Sequence, residues 1–291
     1  MTNQQAILIT GATAGIGRDA ALRLARAGHQ VFATGRSLPA LAQLEQDAAG
    51  LDLIALPLDV TSPTSIENAR QTVLARTGGR GLDVLINNAG YATAGPLAEL
   101  SDDQLRAQFD TNVFGLMAVC RAFLPEMFER RSGRILNVSS VSGRIPAPIL
   151  GAYHASKYAL EALSDALRME LRPFGIHVVV IEPGTIRTGF PDRTVAEAAG
   201  AQAAQTRYGP VYAQVARFRE TFARRAVGPE AVSAAIERAL AHRSPRARYV
   251  APRRFGVAIL LHALLPTRLV DAVMCRVAGL TAKQLGLSPA P

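Results

Sequence analysis

Lysine is almost missing from this chain: two positions carry it, Lys157 and Lys283, against thirty arginines. Where cationic positions are filled by guanidinium, a retained ammonium points to a task that needs a compact, movable point charge. Cysteine is equally sparse. Cys120 and Cys275 each lie in an apolar, helix-like stretch with no Cys or His at metal-ligand spacing, so neither a disulfide scaffold nor a metal site is expected, and both read as buried thiols of a reducing compartment. Aromatic residues make up only 5% of the chain and no nucleic-acid-binding motif accompanies its charge, which argues against a nucleic-acid partner. The apolar stretch Phe255–Leu265, ended by Pro266, is eleven residues long, too short for a bilayer that needs about 20. With 49% hydrophobic and 19% charged residues and no low-complexity tract, disorder is not expected either. The strand-like Ala6-Ile-Leu-Ile9 follows directly on five leading residues, leaving no room for a signal peptide, so a cytoplasmic location is expected.

The net charge of +9 is unevenly placed. Residues 1–184 carry 16 basic and 17 acidic side chains, whereas residues 185–291 carry 16 and 6, so all the excess lies in the last third. That excess reads as a solvated arginine-rich face, or as an attractor of an anionic substrate or a membrane surface.

Strand-like runs occur at Ala6–Thr10, Gln30–Thr34, Leu53–Pro57, Val84–Asn87, Arg134–Ser139 and His177–Ile181, several of them continuous Val/Ile/Leu runs of the kind buried on both faces of a parallel sheet. Helix-like segments fall between them at 16–27, 38–48, 62–76, 101–130 (with a break near Asp110) and 151–173. This alternation predicts an α/β fold, a doubly wound parallel sheet in a single domain, with ligands at the carboxyl ends of the strands. Residues 1–184 form the expected cofactor-binding and catalytic core, and 185–226 a substrate loop with helices. A helix is expected at 229–242, a short strand at Ala247–Val250 and a helical extension over 251–291. Within that extension Phe255–Leu265 is expected to cover the core or cap the substrate site, with interfacial membrane contact as the second reading.

Three groups of residues carry chemistry. Lys157 stands four residues after Tyr153, one helical turn away, where an ammonium could depress the phenol from about 10 toward neutrality. Six tyrosines and two lysines in 291 residues give well under one such pair by chance. The first strand runs into Thr10-Gly11-Ala12-Thr13-Ala14-Gly15-Ile16-Gly17 and then a helix, the strand–turn–helix setting in which glycines admit a pyrophosphate to backbone amides and a helix N-terminus. The second strand ends at Gly35-Arg36. A carboxylate there would accept from a ribose 2′-hydroxyl; a guanidinium suits a 2′-phosphate, which favours NADP(H) over NAD.

Together these motifs resemble the short-chain dehydrogenase/reductase family, with a hydroxysteroid- or retinol-dehydrogenase-like tail, and the likeness runs from residue 6 to about 190. It implies a Rossmann-type fold, with Gly11, Thr13, Gly15, Ile16 and Gly17 at the cofactor, Asp59 and Val60 against the adenine, and Asn88 and Gly90 beside the ribose. Pro183, Gly184, Ile186 and Thr188 would hold the nicotinamide carboxamide, with Tyr153 and Lys157 also touching the cofactor. Asn112, Ser140, Tyr153 and Lys157 match the catalytic tetrad, and the thirteen-residue spacing to Tyr153 selects Ser140 over Ser139. Tyr153 would exchange a proton with the substrate oxygen, Lys157 lower its pKa and hold ribose hydroxyls, Ser140 orient the oxygen, and Asn112 position a proton-passing water. The resemblance further implies an alcohol–ketone substrate, and the apolar Ile145, Pro146, Pro148, Ile149 and Leu150 suggest that it is bulky and lipophilic. Reduction of a β-ketoacyl thioester on an acidic carrier, or a non-catalytic NADP-binding sensor or scaffold, are the alternatives; a methyltransferase is disfavoured by Arg36. Family members often end in a Gly-Gly-containing tail that builds a tetramer, and no such pair follows Tyr249-Val250, so a homodimer through two long helices is expected as readily as a homotetramer.

Overall fold

Strands buried on both faces show no polar alternation, yet their residues still point alternately to the two sides. In the computed structural model, which describes residues 4–188, 207–209, 211–212 and 226–287, this produces two core layers from one sheet. Ile7 and Ile9 face one layer with Val31, Ile86 and Val179, while Leu8 faces the other with Phe32, Leu85 and Ile135. A fully buried Leu or Ile contributes roughly 1.5–3 kcal/mol, so these strands are the chief source of stability.

The sheet has seven parallel strands in the order β3-β2-β1-β4-β5-β6-β7. They are β1 (Ala6–Ile9), β2 (Gln30–Gly35), β3 (Leu53–Pro57), β4 (Val84–Asn87), β5 (Gly133–Val138), β6 (Ile176–Pro183) and β7 (Arg248–Ala251). Helices α1 (Gly15–Arg26) and α2 (Leu38–Asp47) pack with the first layer, and α3 (Pro63–Arg76) with the second. The second layer also receives α5 (Leu116–Arg130) and α6 (Gly151–Leu171). Helix α7 (Glu230–Ala241) returns to the first layer through Val232, Ala235 and Ile236. The strand order reverses between β1 and β4, which opens a crevice at their carboxyl ends.

Three details differ from the sequence expectation. The helix foreseen over 101–130 does not break near Asp110: α4 (Asp102–Phe109) continues through a π-helical turn, Asp110–Gly115, into α5. Gly115 explains the register, because a Cβ there would stand 2.7 Å from the Val60 carbonyl oxygen; the wider turn keeps the helix against that loop and turns Asn112 inward. Cys120 is buried, but Cys275 is only partly so. The apolar stretch forms α8 (Phe255–Leu264), followed by α9 (Thr267–Ala278), yet neither helix buries a single residue, so it does not cover the core. Most of the segment 185–226 lies outside the described residues. Among the described residues no helix is long and apolar enough to cross a membrane, and no group of three or more His, Cys, Asp or Glu is placed to hold a metal.

Candidate active site

The glycine-rich turn is shaped by close approach. Gly11 and Gly15 adopt left-handed backbone (φ +65° and +56°), which side-chain-bearing residues rarely take. Gly17, in the first turn of α1, lies so near the loop that a Cβ would collide with the Gly11 carbonyl oxygen and the Asn88 amide. Two polar residues weld the turn to the neighbouring strand. Thr10 Oγ1 accepts from the backbone N–H groups of Asn88 and Ala89, both at 2.9 Å, and Asn88 Nδ2 donates to the carbonyls of Thr10 and Gly11, also at 2.9 Å. These bonds hold the turn at the N-terminus of α1, a setting that suits a pyrophosphate. Thr13 packs on Gly35, Ile16 on the core, and Thr188 lies over Gly15.

Around that turn the other sequence-assigned cofactor residues take their places. Arg36 is exposed just past β2, close enough to help hold the Asp59 carboxyl below its ordinary range, although the hydrogen bonds from Thr61 are the larger cause. Val60 and Ile186 are buried, and Ile186 bridges to Val227. Pro183 ends β6, and a Cβ on Gly184 would collide with the ring of Phe255, the first residue of α8.

The four tetrad residues converge at the carboxyl ends of β4, β5 and β6. All are buried. The Ser140 hydroxyl accepts from Ser142 N–H at 3.0 Å, donates to the Pro183 carbonyl at 3.4 Å, and lies close enough to the Tyr153 phenol to pull its pKa down. Ser139 Oγ, by contrast, is buried with no hydrogen-bond partner among the described residues. Lys157 lies one turn along α6, its Nζ 5.9 Å from the Tyr153 ring centroid and donating to the Val138 carbonyl at 2.9 Å. Asn112 is clamped: Oδ1 accepts from Tyr91 N–H at 3.2 Å, while Nδ2 donates to Tyr91 O and Ser156 Oγ, both at 3.0 Å. A Cβ on Gly90 would sit 3.1 Å from Asn112 Oδ1 and 3.7 Å from Lys157 Nζ, so both groups face the same small space.

The electrostatics correct one expectation. Burial pushes the Tyr153 phenol up to about 12, with only the Ser140 hydroxyl pulling it back, so the protein groups alone do not bring it toward neutrality. Burial likewise pushes Lys157 down to about 8, against a smaller opposing pull from Glu161. Desolvation outweighs the mutual attraction of the pair. The site therefore holds a protonated phenol beside an ammonium that is lost only in mildly alkaline solution.

A small apolar cluster stands beside the tetrad, in which Ala94, Ile149 and Val211 pack with Leu150, Tyr208, Leu280 and Leu285. Ile149 holds left-handed backbone (φ +71°), an unfavourable state for a β-branched residue, and its carbonyl accepts from Gly95 N–H at 2.7 Å. Leu280 and Leu285 bring the end of the chain to this wall, so it is the segment after α9, with Phe255, that reaches the site. Sequence reasoning passed over Gln108, Ser156 and these two leucines. Buried Gln108, which accepts from Thr93 N–H and donates to Tyr91 O (both 2.7 Å), carried no sequence signal at all.

The short chain dehydrogenase family model matches residues 5–198, which contain the glycine turn, the tetrad and the end of β6. The chain belongs to the short-chain dehydrogenases. It is 38% identical to an uncharacterised oxidoreductase, YbbO, of Escherichia coli (strain K12), over 93% of this chain and 94% of the other. A 3-ketodihydrosphingosine reductase of Bacteroides thetaiotaomicron is 35% identical over 83% and 85% of the two chains, and human 17-beta-hydroxysteroid dehydrogenase type 1 is 37% identical over 86% and 78%. Among solved structures, a short-chain dehydrogenase from Streptomyces avermitilis superposes with a TM-score of 0.75 at 31% identity, covering 95% of this chain and 98% of that one. The protein is thus an oxidoreductase of a family that binds NAD(P) and acts on small-molecule alcohols and ketones.

Proposed function

We propose that the chain is an NADP(H)-dependent oxidoreductase that interconverts a secondary alcohol and a ketone on a bulky, lipophilic molecule. The observation that carries this reading is the buried grouping of Ser140, Tyr153 and Lys157, with the apolar cluster of Ile149, Leu150 and Leu285 nearby in the fold. The glycine turn at Gly11–Gly17 fits a dinucleotide, Arg36 fits a 2′-phosphate, and Lys157 and Asn88 would hold the ribose next to the tetrad. When bound, the reduced cofactor supplies the hydride.

In the reducing direction the Tyr153 phenol gives its proton to the carbonyl oxygen as that carbon accepts hydride, so the oxygen leaves as a hydroxyl. Ser140 donates to the same oxygen and fixes its position. The Lys157 ammonium stabilises the phenolate left behind. The phenolate regains its proton by way of Lys157, which is resupplied from the side of Asn112, whose Oδ1 faces the same space beside Gly90. The named activities of the sphingoid-base and steroid relatives, each a reaction of a large apolar molecule, support the lipophilic substrate class.

The test is reduction of steroid, retinoid, long-chain and small cyclic ketones, and of acyl thioesters, with NADPH and with NADH. Turnover of the bulky apolar ketones with NADPH is expected; preference for small ketones or for NADH would count against the reading. Tyr153→Phe should lower kcat by roughly 10²–10⁴-fold while cofactor fluorescence titrations stay nearly unchanged. Lys157→Arg should also lose turnover, because a guanidinium reproduces neither the point charge nor its geometry.

A further inference from the structure

The surface least explained by catalysis is the pair α8 and α9. Leu260, Leu261 and Leu264 of α8 fall on one helical face, and Leu269, Val273 and Val277 of α9 repeat every four residues along another. All six are exposed, Leu264 by 73% and Leu260 by 58%, and they are grouped on two consecutive helices rather than scattered singly. At 10 and 12 residues, neither helix can span a bilayer.

The charge around this apolar surface has one sign. From Arg243 to Lys283 the chain carries seven arginines and one lysine against a single acid, Asp271. Arg248 is occupied by the buried carboxylates Glu161 and Glu182 and by Asp165. Arg238, Arg246 and Arg253 pair with no carboxylate among the described residues. Together with His242 these three line an open groove of about 410 Å³ that runs to Gly256, inside α8. The cationic groove therefore reaches the start of α8, the helix that carries Leu260, Leu261 and Leu264.

A second copy is a poor occupant, since a two-fold contact through this face would set arginine against arginine with only Asp271 to offset them. An acidic soluble protein would satisfy the arginines and leave the leucines in water. An anionic bilayer meets both: headgroup phosphates for the guanidinium groups and an acyl boundary for the leucines.

We infer that α8 and α9 dock this enzyme on an anionic lipid surface, lying in the headgroup layer. The docking helix starts at Phe255, whose ring packs on Gly184 just past β6, so the docked face lies near the proposed site. The inference stands on the surface alone and is independent of which ketone is reduced.

The experiment is sedimentation of the full chain, without substrate, with phosphatidylcholine vesicles and with vesicles that also contain phosphatidylglycerol. Sedimentation with the anionic vesicles is expected, together with a loss of about fivefold in partitioning for each of Arg253→Gln and Arg268→Gln. Leu260→Asp combined with Leu264→Asp should abolish sedimentation and leave ketone reduction in vesicle-free buffer unchanged. Wild-type protein that stays in the supernatant with both vesicles would overturn the inference. So would arginine or leucine variants that partition like the wild type, or a dimer in vesicle-free solution that the leucine variant converts to monomers, since a second copy would then cover this face.

Discussion

Lys157 and Tyr153 show what burial does to a pair of titratable groups. Each resists ionisation, so Tyr153 stays a phenol throughout the neutral range and Lys157 stays an ammonium only below a pH of about 8. The sign follows directly: ketone reduction needs the phenol and gains from the ammonium, so kcat/KM should be level near neutrality and fall as pH rises through about 8. Because Glu161 opposes the depression of Lys157, Glu161→Gln should move that falling limb to lower pH, which a pH–rate profile would read. Arg36 makes a second prediction. Replacing it by aspartate removes the charged partner of a 2′-phosphate and supplies an acceptor for a 2′-hydroxyl. NADPH affinity should fall roughly 10- to 100-fold, with NADH unchanged or improved, as measured by fluorescence titration.

Among the elements, β7 and α6 are joined by a buried ionic knot. Arg248 on β7 reaches Glu161 at 3.0 Å and Asp165 at 2.7 Å on α6, and Glu182 on β6 at 3.4 Å, where Arg144 also bonds Glu182 at 3.1 Å. Glu161 and Glu182 are nearly inaccessible, so removing Arg248 takes away the ion pair that Glu161 makes and leaves Glu182 to Arg144 alone, in a low-dielectric interior. Arg248→Met should cost about 3–5 kcal/mol in urea unfolding. Burial already holds Glu182 above its ordinary range in the folded state. A carboxyl raised in this way favours folding below its unfolded pKa and loses that contribution as pH rises, so the variant's deficit should shrink as the medium is made more acidic. The π-helical turn Asp110–Gly115 belongs to the same scale. It delivers Asn112 to Tyr91 and Ser156 without ending the helix, which no residue-type signal near Asp110 announces.

For the whole molecule, stability is concentrated in the sheet and thin at the end of the chain. The strands β4 and β5 are enclosed by two apolar layers, whereas α8 and α9 bury none of their residues. Hydrogen exchange should therefore release the amides of α8 and α9 well before those of β4 and β5, and anionic vesicles should slow the former selectively. Equal protection across both regions would show that another contact holds the helices down.

Local chemistry made most of the site readable from the chain alone. Apolar runs, glycines at a strand end and the Tyr153–Lys157 spacing obey rules that operate over a few residues, so the sheet, the glycine turn and the tetrad were all legible. What depended on distant partners was not. That burial, rather than Lys157, dominates the Tyr153 phenol follows from enclosure by separate strands and helices. That Gln108 and Asn112 grip the carbonyl of Tyr91, and that Leu285 packs on the cluster containing Ile149, are contacts between segments distant in sequence. The apolar stretch after Phe255 reads the same whether it faces a core or solvent. Only the packing of the finished sheet, already covered on both faces, leaves those leucines outside.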